Sequence, residues 1–276
     1  MPFQYRITKY DPINRDATGR YLKNEWTYYG DIGKTYDDEI LSFDEYGSME
    51  NKYIKSIERF MMCNKITSLH VVGLEKKKNP KHDKNATATM IDVFESIKNN
   101  DQISMNIIDS VCRLILREYL WCKLEDGQKM QVHLCGDYYY MYIVSDSYCH
   151  NVIEDIEQMG LFVEKYKSPY FINNAFVNSV NIMDGVIVYN EFDIDEDWSF
   201  REQQDSLRED LLQIQFNDFL IDVGWYPSFN VNGSFVVAVI KHYDWQTPIK
   251  RFKAKSFKAL KKSIEDAVLI IKHQTR

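Results

Sequence analysis

The stretch YLWCKLEDGQKMQVHLCGDYYYMYIV, residues 119–144, decides the fold. Two strand-like runs, 119–124 and 130–135, flank Asp126-Gly127. An Asp-Gly pair between such runs signals a tight hairpin, because glycine adopts the positive φ that the turn requires. Tyr138 to Val144 is apolar on both faces, the pattern of a central strand. Upstream, Ser104 is an N-cap for a helix whose buried stripe is Ile107, Ile108, Val111, Leu114 and Ile115. Downstream, Ser147 opens a helix carrying Val152, Ile153, Ile156 and Met159, which Gly160 ends; Leu161 to Tyr166 returns as a strand.

Further out, Phe3, Tyr5 and Ile7 alternate with polar residues as a half-buried strand. Tyr46, Met49, Tyr53, Ile57 and Phe60 fall at helical spacing over about five turns. Residues 171–205 are Asn-rich and then acidic. Beyond them come strands over 219–226 and 234–241, a short third strand at Ile249 and Phe252, and a helix from Ser256 with Leu260, Ile264, Ala267, Val268 and Ile271 inward. The predicted class is α+β in two units: a larger mixed or antiparallel sheet with three to four helices, and a small ββ(β)α unit. The expected division is an N-terminal domain over 1–170, an acidic connection over 171–205 and a C-terminal domain over 206–276.

The chain has 276 residues, 45% hydrophobic, 14% aromatic and 27% charged, a mix that buries a real core and excludes disorder for most of the length. No run approaches the ~18 apolar residues of a membrane-spanning helix, and the N-terminus has no secretory pattern. Five widely spaced cysteines, an odd count, predict reduced thiols and a cytoplasmic location. The net charge is −7, although residues 241–276 hold ten Lys or Arg against three Asp or Glu. The body is therefore acidic, which argues against direct nucleic-acid binding and suits a basic protein partner. The basic residues at 250–262 read as a solvated helix face and an aggregation-resistant edge strand.

Motifs for catalysis or cofactors are incomplete. Gly33-Lys34-Thr35 resembles the end of a phosphate-binding loop, but Tyr28 stands where the first glycine belongs. Asp193, Asp195 and Asp197 have the odd-numbered spacing of a calcium loop, yet Trp198 replaces its glycine and Gln204 its bidentate glutamate. His133 and Cys135 share one strand face near Cys149-His150, without the paired cysteines of a zinc site. Glu75-Lys76-Lys77 lacks the upstream Asp of a metal-dependent nuclease. The expectation is no catalytic residue, no metal and no cofactor.

Phe3-x-Tyr5-Arg6-Ile7-Thr8-Lys9-Tyr10-Asp11-Pro12, with Arg15-Asp16, Gly19-x-Tyr21, Glu25-Trp26-Thr27 and Asp31-Ile32-Gly33-Lys34, resembles the opening of a family of small bacterial proteins. Asp137-Tyr138-Tyr139-x-Met141-Tyr142-Ile143 and Gly160-Leu161-Phe162-Val163-Glu164 resemble its close. Ile221-Asp222-Val223-Gly224-Trp225-Tyr226-Pro227, with Asn232-Gly233-Ser234-Phe235 and Asp244-Trp245-x-x-Pro248, is similar to a second such family. Both are of the kind encoded beside polymorphic or contact-dependent toxins as cognate immunity proteins. The resemblance covers about 1–170 and 205–276. It implies a non-catalytic cytoplasmic inhibitor that binds a toxin effector domain, with basic-clefted nucleases as one target class.

The expected partner contacts are Asp193, Asp195, Glu196, Asp197 and Trp198, where aromatics interleave carboxylates, and Trp26, Tyr28 and Asp31 in the N-terminal loop. Homo-oligomerisation stays open. Two other classes stand beside this reading: an anti-defence accessory of phage–host conflict, and an enzyme whose site only the fold assembles.

Overall fold

The computed structural model describes residues 2–127, 129–171 and 174–274. It is α+β with antiparallel sheets, and the chain divides into two compact units, Met1–Tyr170 and Phe171–Arg276.

The first unit is built on seven strands in the order β5-β4-β6-β7-β8-β1-β9. They are β1 (Phe3–Thr8), β4 (Ser68–Lys76), β5 (Gln102–Ser104), β6 (Leu120–Glu125), β7 (Met130–Cys135), β8 (Tyr140–Ser145) and β9 (Phe162–Lys165), with a separate two-stranded ribbon of β2 (Thr35–Tyr36) and β3 (Glu39–Ile40). The hairpin predicted around Asp126-Gly127 pairs β6 with β7, and β8 takes its central place beside β7 and β1. The helices are α1 (Phe43–Cys63), α2 (Ala88–Ser96), α3 (Met105–Leu116) and α4 (His150–Gln158). Helix α3 lies against β6 and β7, α4 against β9, and α1 touches both helices.

Strand alternation sends successive side chains to opposite faces. Leu120, Cys122 and Leu124 of β6 and Met130, Val132 and Leu134 of β7 are buried in the large core with Ile57, Phe60, Val111 and Leu114 of the helices. The residues between them, Trp121 and Lys123 on β6 and His133 and Cys135 on β7, therefore occupy the second face. The end of the unit covers part of that face: Ser168 N donates to Gln4 Oε1 at 2.9 Å, and the Tyr170 ring lies 5.5 Å from that of Tyr142.

The second unit holds a five-stranded antiparallel sheet in the order β10-β11-β12-β13-β14: Val186–Asn190, Leu212–Phe216, Phe219–Tyr226, Ser234–Lys241 and Lys250–Ala254. Helix α5 (Ala175–Ser179) is short, and α6 (Phe257–Gln274) packs on β12, β13 and β14. The unit is thus larger than the ββ(β)α module predicted. Residues 171–205 are not a connection but part of it: β10 pairs with β11, and Phe192 and Ile194 are buried in the core with Trp225 and Phe235.

A further correction concerns the cysteines. Cys63, the last residue of α1, is joined by a disulfide to Cys149 at the start of α4, with Cα atoms 6.1 Å apart. Packing of α1 beside α4 brings together two residues that are 86 positions apart in sequence. The thiol argument for a reducing compartment therefore falls. No helix among the described residues is long and apolar enough to cross a membrane.

Candidate functional site

The residues expected to touch a partner are mostly structural, and they lie in two different units. Trp26 is buried, with ring centroids 4.8 Å from Tyr139 and 5.4 Å from Tyr46. Asp31 is buried and accepts from Thr27 N and Lys34 Nζ, each at 2.8 Å. Burial alone would raise its carboxyl, but the hydrogen bonds from Lys34, Thr27 and Tyr36 outweigh it and hold the group below the usual carboxylate range. Tyr28 is half-buried and its amide donates to Asp31 Oδ2. In the second unit Trp198 and Asp195 are buried. Gln203 ties the loop down: its amide Nε2 donates to the carbonyls of Asp195 and Trp198, and Asp195 N donates to its Oε1. Asp193 accepts from Ser206 Oγ at 2.7 Å. Glu196 and Asp197 alone of the set are exposed. Trp26, Asp31, Asp195 and Trp198 are thus corrected from contact residues to supports.

What the fold builds instead lies at the β7–β8 turn of the first unit. Gly136 must be glycine there, because a Cβ would stand 2.7 Å from the Ile115 carbonyl oxygen and 2.9 Å from that of Leu116, at the end of α3. Tyr139 closes the turn with φ 55°, an unfavourable backbone for a tyrosine that surrounding contacts must hold. Those contacts are present. Its ring is fully buried against Trp26, Tyr46 and Tyr53, and its carbonyl accepts from Tyr53 Oη at 2.7 Å. The two residues between, Asp137 and Tyr138, are pushed out, and Tyr138 is 62% exposed.

Beside the turn is a cavity of about 230 Å³, lined among others by His133, Cys135, Asp137, Glu118, Trp121, Lys77 and Tyr170. His133 is 2% exposed, and its ring is stacked by Tyr170 at 3.4 Å and met edge-on by Trp121 at 5.4 Å. Trp121 pairs with Glu75 across the sheet, and its indole lies over Gly73, which sits at an irregularity of β4 with φ 71° and where a Cβ would come within 3.2 Å of the ring. Cys135 Sγ donates to Tyr170 Oη at 3.7 Å. Lys77 Nζ pairs loosely with Glu118 Oε1, 3.9 Å away.

Set against known protein families, curated proteins and solved structures, the chain matches none of them. The chemistry of the site must therefore be read from its own groups.

Burial pushes the His133 imidazole down to about 4, with the Lys123 charge adding to it. Burial pushes the Cys135 thiol up to about 11. At neutral pH the pair is an uncharged imidazole and a protonated thiol, suited to hydrogen bonding and not to thiolate attack. His133 Nδ1 is buried without a hydrogen-bond partner. Among the described residues no cluster of three or more His, Cys, Asp or Glu is placed to hold a metal ion. Sequence alternation had put His133 and Cys135 on one face. It could not show Glu118, Trp121 and Tyr170 converging on them, since only sheet register and the covering segment do that.

Proposed function

We propose that this chain is a non-catalytic inhibitor of the immunity type, which binds a basic effector domain of a toxin through the β7–β8 turn of its first unit. The observation that carries this reading is the rigid presentation of Asp137 and Tyr138: an exposed aromatic and an exposed carboxylate on a turn clamped by Gly136 and by buried Tyr139. An aromatic already fixed in its bound position loses little entropy on docking, and such residues dominate interface energetics. The acidic composition supports electrostatic steering toward a basic partner.

The test pairs this chain with the effector domain encoded next to its gene and measures both rate constants. Tyr138→Ala is expected to cost about 2 kcal/mol, felt as roughly 30-fold faster dissociation. Asp137→Asn is expected to slow association and weaken its salt dependence. Unaltered kinetics for both, with binding intact, would remove the turn from the interface. Absence of any complex would remove the inhibitor reading.

A further inference from the structure

The cavity beside the turn has its own chemistry. We infer that it is a receptor for one guanidinium group, in the form of an arginine side chain of the partner; this rests on the inhibitor reading above. Three kinds of group converge there. The carboxylates of Glu118 and Asp137 line it, against a single ammonium, Lys77, whose bond to Glu118 is 3.9 Å long and whose side chain is 47% exposed. Helix α3 ends at Leu116 beside it, contributing the negative pole of its dipole, which favours cations. The walls include the aromatic rings of Trp121 and Tyr170, which meet the His133 imidazole edge-on and stacked, so their π-electrons add a negative lining that favours a cation.

The fourth element is His133. An unpaired buried nitrogen is costly and uncommon, and Nδ1 has no partner in the protein. The ring is held uncharged, so it neither repels a cation nor competes for the carboxylates. A guanidinium carries five N–H donors in a plane. It can give a fork to one carboxylate, which an ammonium on a flexible stem does less well, and a further hydrogen bond to the imidazole nitrogen requires the cover over His133 to open. An anion would meet two carboxylates and a helix carbonyl end.

The probe is n-butylguanidinium, titrated into the full chain and followed by the imidazole proton signals of His133 and by the part of the tryptophan fluorescence that Trp121→Phe removes, with n-butylurea as the neutral isostere and acetate as the anion. Saturable binding of n-butylguanidinium is expected, with no saturation by n-butylurea or acetate. Glu118→Gln with Asp137→Asn is expected to weaken it about tenfold or more, and Lys77→Ala to strengthen it. Glu118→Gln alone, far from Tyr138 in sequence and conservative in shape, controls for misfolding through its melting temperature. Equal affinity for n-butylurea, preference for acetate, or no saturation by the guanidinium overturns the inference. The partner complex separates the two ideas. If the complex forms and depends on Tyr138 but the probe does not bind, the arginine receptor fails alone. If the probe binds and no complex forms, the inhibitor reading and the partner's arginine fall together, while the guanidinium receptor stands.

Discussion

Glu50 on α1 receives a two-pronged hydrogen bond from Arg117 just past the end of α3, with Nε to Oε1 at 2.9 Å and Nη2 to Oε2 at 2.7 Å, both side chains being almost wholly buried. Arg113 adds a third contact to the same carboxylate, and the Arg117 guanidinium also donates to the Asn85 carbonyl and faces the rings of Tyr29 and Phe43. A buried ion pair need not stabilise relative to an apolar pair, but removing one partner strands the other charge. Glu50→Ala should therefore cost about 3 to 5 kcal/mol in chemical denaturation. Arg117→Lys should fall between wild type and that variant, since an ammonium cannot reproduce the fork. A loss below 1 kcal/mol for Glu50→Ala would mean that water reaches the site.

Tyr53 links the core to the turn. Its hydroxyl donates to the Tyr139 carbonyl at 2.7 Å and accepts from Lys9 N at 2.9 Å. Tyr53→Phe leaves both backbone groups buried and unpaired, at about 1 to 3 kcal/mol for each group. Amide exchange at Tyr139 and Tyr140 should accelerate more than in β6. Equal acceleration across the sheet would indicate general destabilisation and no specific brace.

His133 makes stability depend on pH. Its folded pKa, near 4, lies below the value of about 6.5 that it has in an unfolded chain. As pH falls the unfolded state takes up the proton first, so the contribution is complete above about pH 6.5 and is lost progressively down to about pH 4. His133→Phe should flatten the denaturation midpoint over that window relative to wild type. An unchanged slope would place the acid sensitivity elsewhere.

The disulfide predicts a thiol count. Cys112, Cys122 and Cys135 are free, so denatured protein kept from reductant should titrate three thiols, and reduced protein five. Closing a loop of 86 residues restricts the unfolded chain by roughly 4 kcal/mol, so reduction should lower the melting temperature measurably. Five thiols without reductant would show that the pair stays reduced in the source cell.

Much of the first unit was legible because its patterns are periodic. Tyr46 to Phe60 marked α1, Asp126-Gly127 marked the hairpin, and Gly160 with φ 80° follows the end of α4 as expected. The second unit was less legible for a physical reason. Strand β10 is an edge strand with Val186, Ile187 and Val188 all exposed and an irregular register after Ile187, so no in–out alternation survives to be read. The acid-rich loop after it folds through side-chain-to-backbone bonds from Gln203, which leave no period at all. Aromatics among acids looked like an interface there, yet Phe192 is core and Trp198 is buried. The cavity escaped because its walls come from Lys77, Glu118, Trp121, His133 and Tyr170, which are neighbours only in three dimensions.

Tyr138 and Tyr139 are one peptide bond apart, the first turned to solvent and the second enclosed by Trp26, Tyr46 and Tyr53. Natural selection can therefore treat the two separately. Substitutions at 137 and 138 change what the turn offers to a partner at almost no cost to folding, whereas any change at 139 is punished by the core. Those two positions can therefore vary while the scaffold stays still.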